Sequence, residues 1–224
     1  HFHRQRGFTL VELMVGVAVG LFITATASTM LSHTLNENRH LLLETRVQQD
    51  LRAASDLITR DLRRAGYWPS AEKGVWHPGL PSGMPNPYAD VSPNDDAASA
   101  NFVSYRWAAD ADDAVSSAER FGFRLNHGAI EALLGGHWQA VTDATSLTVT
   151  AFNVQMRKET TDLQGFCPQD CPAGSTACPP APRQEVREFI VTMSGSATND
   201  STVQRSLQSH VRVRNDALVG ACAV

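Results

Sequence analysis

The sequence lacks the short motifs that mark common enzyme sites. Its 224 residues contain no G-x-S-x-G elbow, no H-E-x-x-H, no phosphate-binding P-loop and no G-x-G-x-x-G dinucleotide pattern. The eight histidines are scattered along the chain, and we interpret His127 and His137, which lie next to glycines, as turn residues rather than as a base or a ligand. We therefore expect no catalytic residues, no enzyme activity and no cofactor.

Charge and proline are missing from the N-terminal stretch. From Phe8 to Leu31 the one charged residue is Glu12, and no proline occurs between Phe8 and Tyr67. At about 1.5 Å of rise per residue, residues 8–31 would form roughly 36 Å of helix, enough to cross a bilayer core of about 30 Å. The stretch predicts a transmembrane helix, and its single carboxylate needs a partner because a charge in lipid is costly.

The chain also lacks an excess of basic residues. It has 19 Lys and Arg against 23 Asp and Glu, a formal net charge of -4, so we expect no direct nucleic-acid site. Beyond the N-terminal helix, about 160 residues remain for one medium-sized soluble domain. Arg4 and Arg6 precede the apolar stretch, and the positive-inside rule predicts a cytoplasmic N-terminus and an exported head.

Two ordinary interpretations of the apolar stretch leave a feature unexplained. A secretory signal peptide would be cut after the stretch, but Ala25, Ala27 and Ser28 are followed by more helix-compatible sequence. A plain single-span anchor explains the hydrophobicity and the basic flank but not Glu12. The features fit together as a short basic leader that ends in glycine, followed by an aromatic residue and by glutamate as the fifth residue after the cut.

The run Arg6-Gly7-Phe8-Thr9-Leu10-Val11-Glu12-Leu13 closely resembles the class III prepilin signal of type IV pilins and type II secretion pseudopilins. The resemblance implies that a prepilin peptidase removes a leader, residues 1–7, by cleavage between Gly7 and Phe8, and methylates the new N-terminus. It also implies that Glu12 pairs with the terminal amine of Phe8 in a neighbouring subunit, where two opposite charges compensate each other. Since the sequence begins with His1 rather than Met, the full length of the leader is left open.

Gly16 and Gly20 lie about one helical turn apart within the predicted span. Small residues at this spacing let two helices approach closely. Glycine is also tolerated in membrane helices without any packing role, so both interpretations stay open.

After the span, the apolar residues become periodic with no break in the helical pattern. They recur at spacings of three and four, as on one face of a helix, and comprise Leu43, Val47, Leu51, Ala54, Ile58, Leu62 and Ala65. Gly66 and Pro69 then predict the end of the helix. We expect a helix from about Phe8 to Ala65, with residues 8–31 in the membrane or filament core and residues 32–66 as an amphipathic half against a globular head.

The predicted helix end adds to the resemblance. The run Asp61-Leu62-Arg63-Arg64-Ala65-Gly66-Tyr67 resembles the Asp-x-Arg-x-Ala-Gly-Tyr segment that closes the long helix in the PilW family of minor pilins. The run Val211-Arg212-Val213-Arg214-Asn215 is similar, more weakly, to the terminal strand of that family.

Residues 68–99 are rich in Pro, Gly, Asn, Asp and Ser and predict a long surface loop. We expect Trp76 and Tyr88 to pin this loop to the head. Clustered carboxylates suit calcium, but the spacing is not that of an EF-hand, and we interpret them as a solvated acidic surface. These acids are Asp95, Asp96, Asp110, Asp112 and Asp113.

The head, residues 67–224, shows several strand patterns. Residues 102–107 alternate, and residues 121–125 and 129–133 flank a glycine-containing turn, as in a hairpin. Further candidate strands lie at residues 146–156, 185–193 and 202–214. The predicted fold class is therefore α+β and type IV pilin-like, with the long N-terminal helix packed on an antiparallel β-sheet head.

The four cysteines all occur late in the chain, at Cys167, Cys171, Cys178 and Cys222. Their spacing is not the paired C-x-x-C form of zinc sites, so we expect no metal. An exported domain favours two disulfides, for which three connectivities exist. We expect a local bridge within the loop of residues 167–180 and a long bridge from the remaining thiol to Cys222.

The resemblance implies a minor pilin that primes a type IV pilus and enters it, supporting twitching motility, adhesion and possible DNA uptake. It would sit in the bacterial inner membrane with a periplasmic head and then in the pilus. Implied partners are other minor pilins, the major pilin, the prepilin peptidase, the inner-membrane assembly platform and a pilus-tip adhesin. The alternatives are a J-type pseudopilin of type II secretion and a membrane-anchored adhesin or binding module exported by the prepilin route.

Overall fold

A computed structural model describes residues 7, 9–75, 83–94, 99–167, 169 and 179–222. The chain divides into two compact units, His1–Thr45 and Arg46–Val224. A single α-helix, α1, spans Leu10–Leu62 and contributes residues to both units. The second unit holds the remainder of α1 and all strands of the described chain.

In the second unit, one face of α1 is buried against the head. The buried apolar side chains are those that the periodicity predicts, because spacings of three and four bring them onto one side of a helix. They are Val47, Leu51, Ala54, Ile58 and Leu62. Polar contacts flank this stripe: Ser55 Oγ lies 2.7 Å from Ser209 Oγ, and Ser146 Oγ donates to Asp50 Oδ2 at 2.8 Å. The predicted amphipathic face is therefore the face that packs.

Helix α1 ends at Leu62 rather than at the predicted Ala65. The next turn is tighter, because the N–H of Arg64 donates to the carbonyl of Asp61 and that of Ala65 to the carbonyl of Leu62. Gly66 follows with φ of 72°, a left-handed conformation that favours glycine. Glycine therefore closes the helical region as expected, one tight turn after the α-helix itself has stopped.

Ten strands, all paired antiparallel, form two sheets in the described part of the chain. They are β1 (Val91–Ser92), β2 (Ser99–Ala100), β3 (Phe102–Arg106), β4 (Arg120–Asn126), β5 (Ala129–Leu134), β6 (His137–Ala140), β7 (Leu147–Asp162), β8 (Arg183–Ala197), β9 (Asp200–Arg212) and β10 (Ala217–Val219). The first sheet has the order β1-β3-β4-β5-β6. In the second, β8 pairs with β7, β9 and β10, and β2 pairs with β7. The α+β class with an antiparallel head is confirmed.

The strand predictions are incomplete in four places. Strands β1, β2, β6 and β10 have two to four residues each and are too short for a pattern of alternation to show. Strands β7 and β8 extend beyond the predicted ends because they continue to pair with each other as far as Asp162 and Arg183, where the side chains are polar. The structure has two sheets where one was expected, because the periodicity of hydrophobic residues does not determine which strands pair.

The turn after α1 joins three other parts of the head. The Arg63 carbonyl accepts a hydrogen bond from the Arg214 N–H, and the Tyr67 carbonyl accepts one from the Ala108 N–H. The Ala65 carbonyl accepts from the side-chain amide of Asn215, and the Gly66 carbonyl accepts from that of Asn86. The Gly66 N–H donates to the carbonyl of Arg106 at 2.8 Å. The helix end is thereby tied to strand β3, to the loop after residue 83 and to the segment after β9.

Part of the predicted loop at residues 68–99 is packed rather than free. Trp68 and Tyr88 are buried together with Ala108, so Tyr88 does pin the loop, whereas Trp76 lies outside the described residues. Asp113 accepts hydrogen bonds from Lys73 Nζ and from Trp68 Nε1. The bond from Lys73 is the main reason that the pKa of Asp113 is below its ordinary value.

The acidic residues of the head do not converge on one point. Asp113 is paired with Lys73, while Asp110 and Asp112 accept backbone N–H groups of their own loop. Among the described residues, no group of three Asp, Glu, His or Cys side chains is close enough to hold a metal ion. Asp95 and Asp96 lie outside the described residues.

A disulfide joins Cys167, after β7, to Cys222 near the C-terminus, across 55 residues of chain. The long bridge to Cys222 thus uses the first cysteine of the loop. Closing a loop of this length is worth about 4 kcal/mol in the chain-entropy account. Cys171 and Cys178 lie outside the described residues, and their local bridge stays a prediction.

A buried carboxylate, Glu119, orders the loop between β3 and β4. Its side chain is 1% exposed and accepts hydrogen bonds from the N–H groups of Ala109 and Ser116, both at 2.8 Å, and from Tyr88 Oη at 3.2 Å. The bond from Ser116 is the largest cause that lowers the pKa of Glu119 below its ordinary 4.5, against the opposing effect of burial. Burial raises the pKa of Tyr88 to about 12, so the phenol remains a neutral donor.

We expect Glu119→Gln to lower the free energy of unfolding of the head by roughly 1–3 kcal/mol at pH 7, because hydrogen bonds to a buried charge are lost. A depressed carboxyl pKa stabilises the fold above the unfolded-state pKa and loses that contribution as the pH falls. The variant should therefore lose less stability than the wild type as the pH falls below about 4.5, the ordinary pKa of this carboxyl group. Near-ultraviolet circular dichroism of thermally unfolded full-length chain in detergent measures both effects.

Glu72→Gln, an exposed carboxylate in the same head, is the matched control and should follow the wild-type pH dependence. If the Glu119→Gln profile runs parallel to that of the wild type, Glu119 is not the group that couples the fold to pH.

Candidate processing and assembly segment

The predicted cleavage point lies just before the helix. Gly7 is exposed and non-helical, and an added Cβ there would meet no atom within 4 Å. Phe8 lies outside the described residues, and α1 begins at Leu10. A peptidase needs backbone that is not held in helical hydrogen bonds, so the placement of Gly7 suits cleavage at this point.

Thr9 caps the start of α1. The N–H of Glu12 donates to Thr9 Oγ1 at 3.3 Å, and the N–H of Leu13 donates to the Thr9 carbonyl at 3.1 Å. Thr9 thus satisfies donors that the first turn of a helix leaves open. The spacing Thr9-x-x-Glu12 is that of a capping box, so the local sequence already favours a helix start at this point.

Glu12 is the third helical residue and lies near the positive end of the helix dipole, which favours a negative side chain. Its side chain is exposed, and among the described residues no cationic group pairs with it. The positive end of the helix dipole stabilises a negative side chain at such a position by about 0.3–1 kcal/mol. A pairing of Glu12 with the terminal amine of a neighbouring subunit stays a prediction.

The first unit of the helix exposes its apolar side chains on all sides. Every described residue from Thr9 to Leu42 is exposed, including Leu10 at 74% and Phe22 at 72%. Its mean hydropathy reaches 2.1, and by length and composition α1 is able to cross a membrane. A helix that is apolar all round needs lipid or other helices around it.

The hydroxyl groups in this stretch are satisfied by the helix itself. Each donates to a backbone carbonyl three or four residues earlier, at 2.8–3.1 Å. The donors are Thr24, Thr26, Ser28, Thr29, Ser32 and Thr34. Six polar side chains therefore add little to the cost of placing this part of α1 in lipid.

Gly16 and Gly20 leave a shallow surface on α1. Both are exposed, and a Cβ added to either would meet no atom within 4 Å. The surface is thus open to a second helix, as the small-xxx-small spacing predicts, and the packing role itself stays a prediction. Beyond the apolar span, ionisable side chains return at His33 and Glu37. The Nδ1 atom of His33 lies 3.3 Å from Oε1 of Glu37.

Two family models match the chain. The first, described as Prepilin peptidase-dependent protein B, matches residues 40–213, and the second, described as the prokaryotic N-terminal methylation motif, matches residues 2–28. Together they cover the predicted signal, most of α1 and nearly all strands of the head. The narrower resemblance to PilW stays a prediction. No curated protein and no solved structure was found to match the chain.

The cap at Thr9 can be tested without touching Glu12. We expect Thr9→Ala to raise hydrogen exchange of the amides of Glu12 and Leu13 by about fivefold, because loss of an N-cap costs about 1 kcal/mol and frays the first turn. Exchange followed by mass spectrometry on the full chain in detergent micelles measures this. Thr9→Ser keeps the accepting hydroxyl and should exchange as the wild type does; equal exchange in Thr9→Ala would show that the cap is not needed.

Proposed function

Because the chain belongs to the prepilin peptidase-dependent protein B family, we propose that it is a minor pilin that primes assembly of a type IV pilus and is incorporated into it. Supporting this, the methylation motif covers residues 2–28, and residues 9–31 are all exposed and carry no charged side chain apart from Glu12. The role is structural: the chain acts by binding other subunits rather than by catalysis.

The course of assembly follows from the two environments of α1. Arg4 and Arg6 favour a cytoplasmic N-terminus, so the head lies in the periplasm while residues 8–31 cross the inner membrane. The prepilin peptidase cuts after Gly7, and the assembly platform moves the subunit from lipid into a bundle of like helices. In both places the apolar surface of the first unit is covered.

Glu12 sets the register of that bundle in this proposal. A carboxylate without a partner in lipid costs about 2.5–3.5 kcal/mol on insertion scales. Pairing with the methylated amine of Phe8 in a neighbouring subunit removes much of this cost, and only at one axial offset of the two helices. The neighbours would be the major pilin and other minor pilins, with a tip adhesin as a further partner, and motility, adhesion and DNA uptake would follow through the pilus.

We expect the mature protein to begin at N-methylated Phe8, because the leader of residues 1–7 is cut off. Mass spectrometry of the N-terminal peptide from membranes and from sheared pili measures this. Gly7→Val should keep the leader, since a β-branched side chain blocks the cleavage point. Any other mature N-terminus in the wild type contradicts the proposal.

We expect Glu12→Ala to insert and be cleaved normally but to fall at least about tenfold in sheared pili, because the charge pair that fixes the register is missing. Glu37→Ala removes a carboxylate of the same helix beyond the apolar span and is the matched control, expected at wild-type levels. Immunoblots of membranes and of sheared filaments measure both. Normal incorporation of Glu12→Ala would remove the role assigned to it.

Deletion of the gene separates the pilus from type II secretion. Loss of surface pili with intact secretion supports the minor pilin, whereas intact pili with blocked export of folded periplasmic proteins supports the pseudopilin. Neither effect would support the membrane-anchored binding module.

A further inference from the structure

Strand β9 leaves a long sheet edge open. Its 13 residues, Asp200–Arg212, pair with β8 on one side, and within the described ranges no strand pairs with the other side. The other strands at sheet margins, β1, β2, β6 and β10, have two to four residues. Proteins usually keep edge strands short or covered because an open edge is a template for another strand. Strand β7 pairs on its outer side with the two residues of β2, whereas β9 has no partner strand on its outer side within the described ranges.

The backbone groups of β9 that face outward can be identified from its register. The N–H of Val213 donates to the carbonyl of Arg187 at 3.0 Å, and the β8–β9 pairs continue this register through Val211 with Phe189 and Ser209 with Val191. Hydrogen-bonded pairs alternate along an antiparallel ladder. The alternate residues therefore direct their N–H and carbonyl groups away from β8. These residues are Ser206, Gln208, His210 and Arg212, and all four are exposed.

A basic groove adjoins this edge. Its volume is about 480 Å³, and its lining includes Arg63, His210, Arg212 and Arg214. The backbone N–H of Arg214 donates to the Arg63 carbonyl at 3.1 Å, which holds the two residues side by side. Arg212 has Asp216 as a partner and His210 has Glu188.

Arg63 and Arg214 differ from their neighbours in the groove. Both side chains are exposed, and in the described part of the chain neither has a carboxylate partner. Two adjacent cations without a counterion repel each other, and an anion supplied from outside relieves that repulsion.

We propose that the free edge of β9 and this basic groove together bind an extended acidic segment of another protein chain, which adds to the second sheet as a strand. The outward N–H and carbonyl groups of β9 supply main-chain hydrogen bonds, and Arg63 and Arg214 bind carboxylates of the added strand. A second copy of β9 is a poor occupant, because pairing of two copies would bring their basic side chains together. The site lies wholly in the second unit and does not depend on the proposed pilus role.

A peptide probe tests the backbone part of the site. The probe is a fluorescent ten-residue peptide of alternating Val and Asp, added to the full chain in detergent micelles and followed by anisotropy. Gln208→Pro removes one outward N–H that β8 does not use, and should weaken binding at least about tenfold. Gln208→Ala keeps that N–H and should bind within about twofold of the wild type.

A charge reversal tests the basic part. Arg63→Glu/Arg214→Glu should weaken the acidic probe at least about tenfold and remove most of the salt dependence of binding. Arg39→Glu/Arg120→Glu makes the same change of charge at exposed arginines outside the groove and should bind as the wild type does. Circular dichroism checks that each variant keeps its strands. If either Gln208→Pro or Arg63→Glu/Arg214→Glu does not fold, the other variant still tests the proposal.

Four results would overturn the proposal. The first three are no saturable binding of the Val-Asp peptide by the wild type, equal binding by Gln208→Pro and Gln208→Ala, and loss of binding in both charge variants alike. Self-association of Arg63→Glu/Arg214→Glu with unchanged peptide binding would also overturn it, because the arginines would then serve to prevent pairing of β9 with itself.

Discussion

The fold depends on how the end of the long helix is held. Residues 61–67 leave the α-helical path through a tight turn, and their carbonyls are taken up by groups from the loop after residue 83, from the segment after β3 and from the segment after β9. No one of these segments could be positioned by local sequence alone. A left-handed Gly66 makes the turn possible, and the hydrogen bonds fix the direction in which α1 enters the head. The apolar stripe of α1 then meets the sheet face in one register.

The same helix meets different surroundings along its length, and its chemistry changes accordingly. From Thr9 to Leu31 every side of α1 is exposed and is apolar apart from Glu12, and the hydroxyls from Thr24 onward bond within the helix. In the second unit one stripe is buried and the opposite side is charged. Hydrophobic burial therefore fixes the second half within the chain, whereas the first half acquires its cover from lipid or from other subunits. Glu12 is the one charged residue among residues 8–31, and in the proposed assembly it specifies the position of α1 along a neighbouring helix.

Periodicity and local motifs predicted the features that short-range physics controls. The stripe from Val47 to Leu62, the glycine at the helix end and the hairpin of β4 and β5 all depend on residues a few positions apart. The split into two sheets, the short strands and the disulfide from Cys167 to Cys222 depend on pairings across tens of residues, which no period records. The cap at Thr9 also depends on residues a few positions apart, since Thr-x-x-Glu is the spacing of a capping box.

Strand β8, the central strand of the second sheet, limits where a further strand can add to that sheet. Strand β8 pairs with β7 on one side and with β9 and β10 on the other, and its buried Arg187 donates to the carbonyls of Ala89 and Asn215 at the corner of the head. Hydrogen bonds saturate β8, and the burial of Phe189, Val191 and Met193 fixes its face toward the core. A partner that adds backbone hydrogen bonds to this sheet must do so at a margin. The disulfide holds the segment after β10 near the end of β7, and β9 offers a margin of 13 residues that has no partner strand in the described part of the chain.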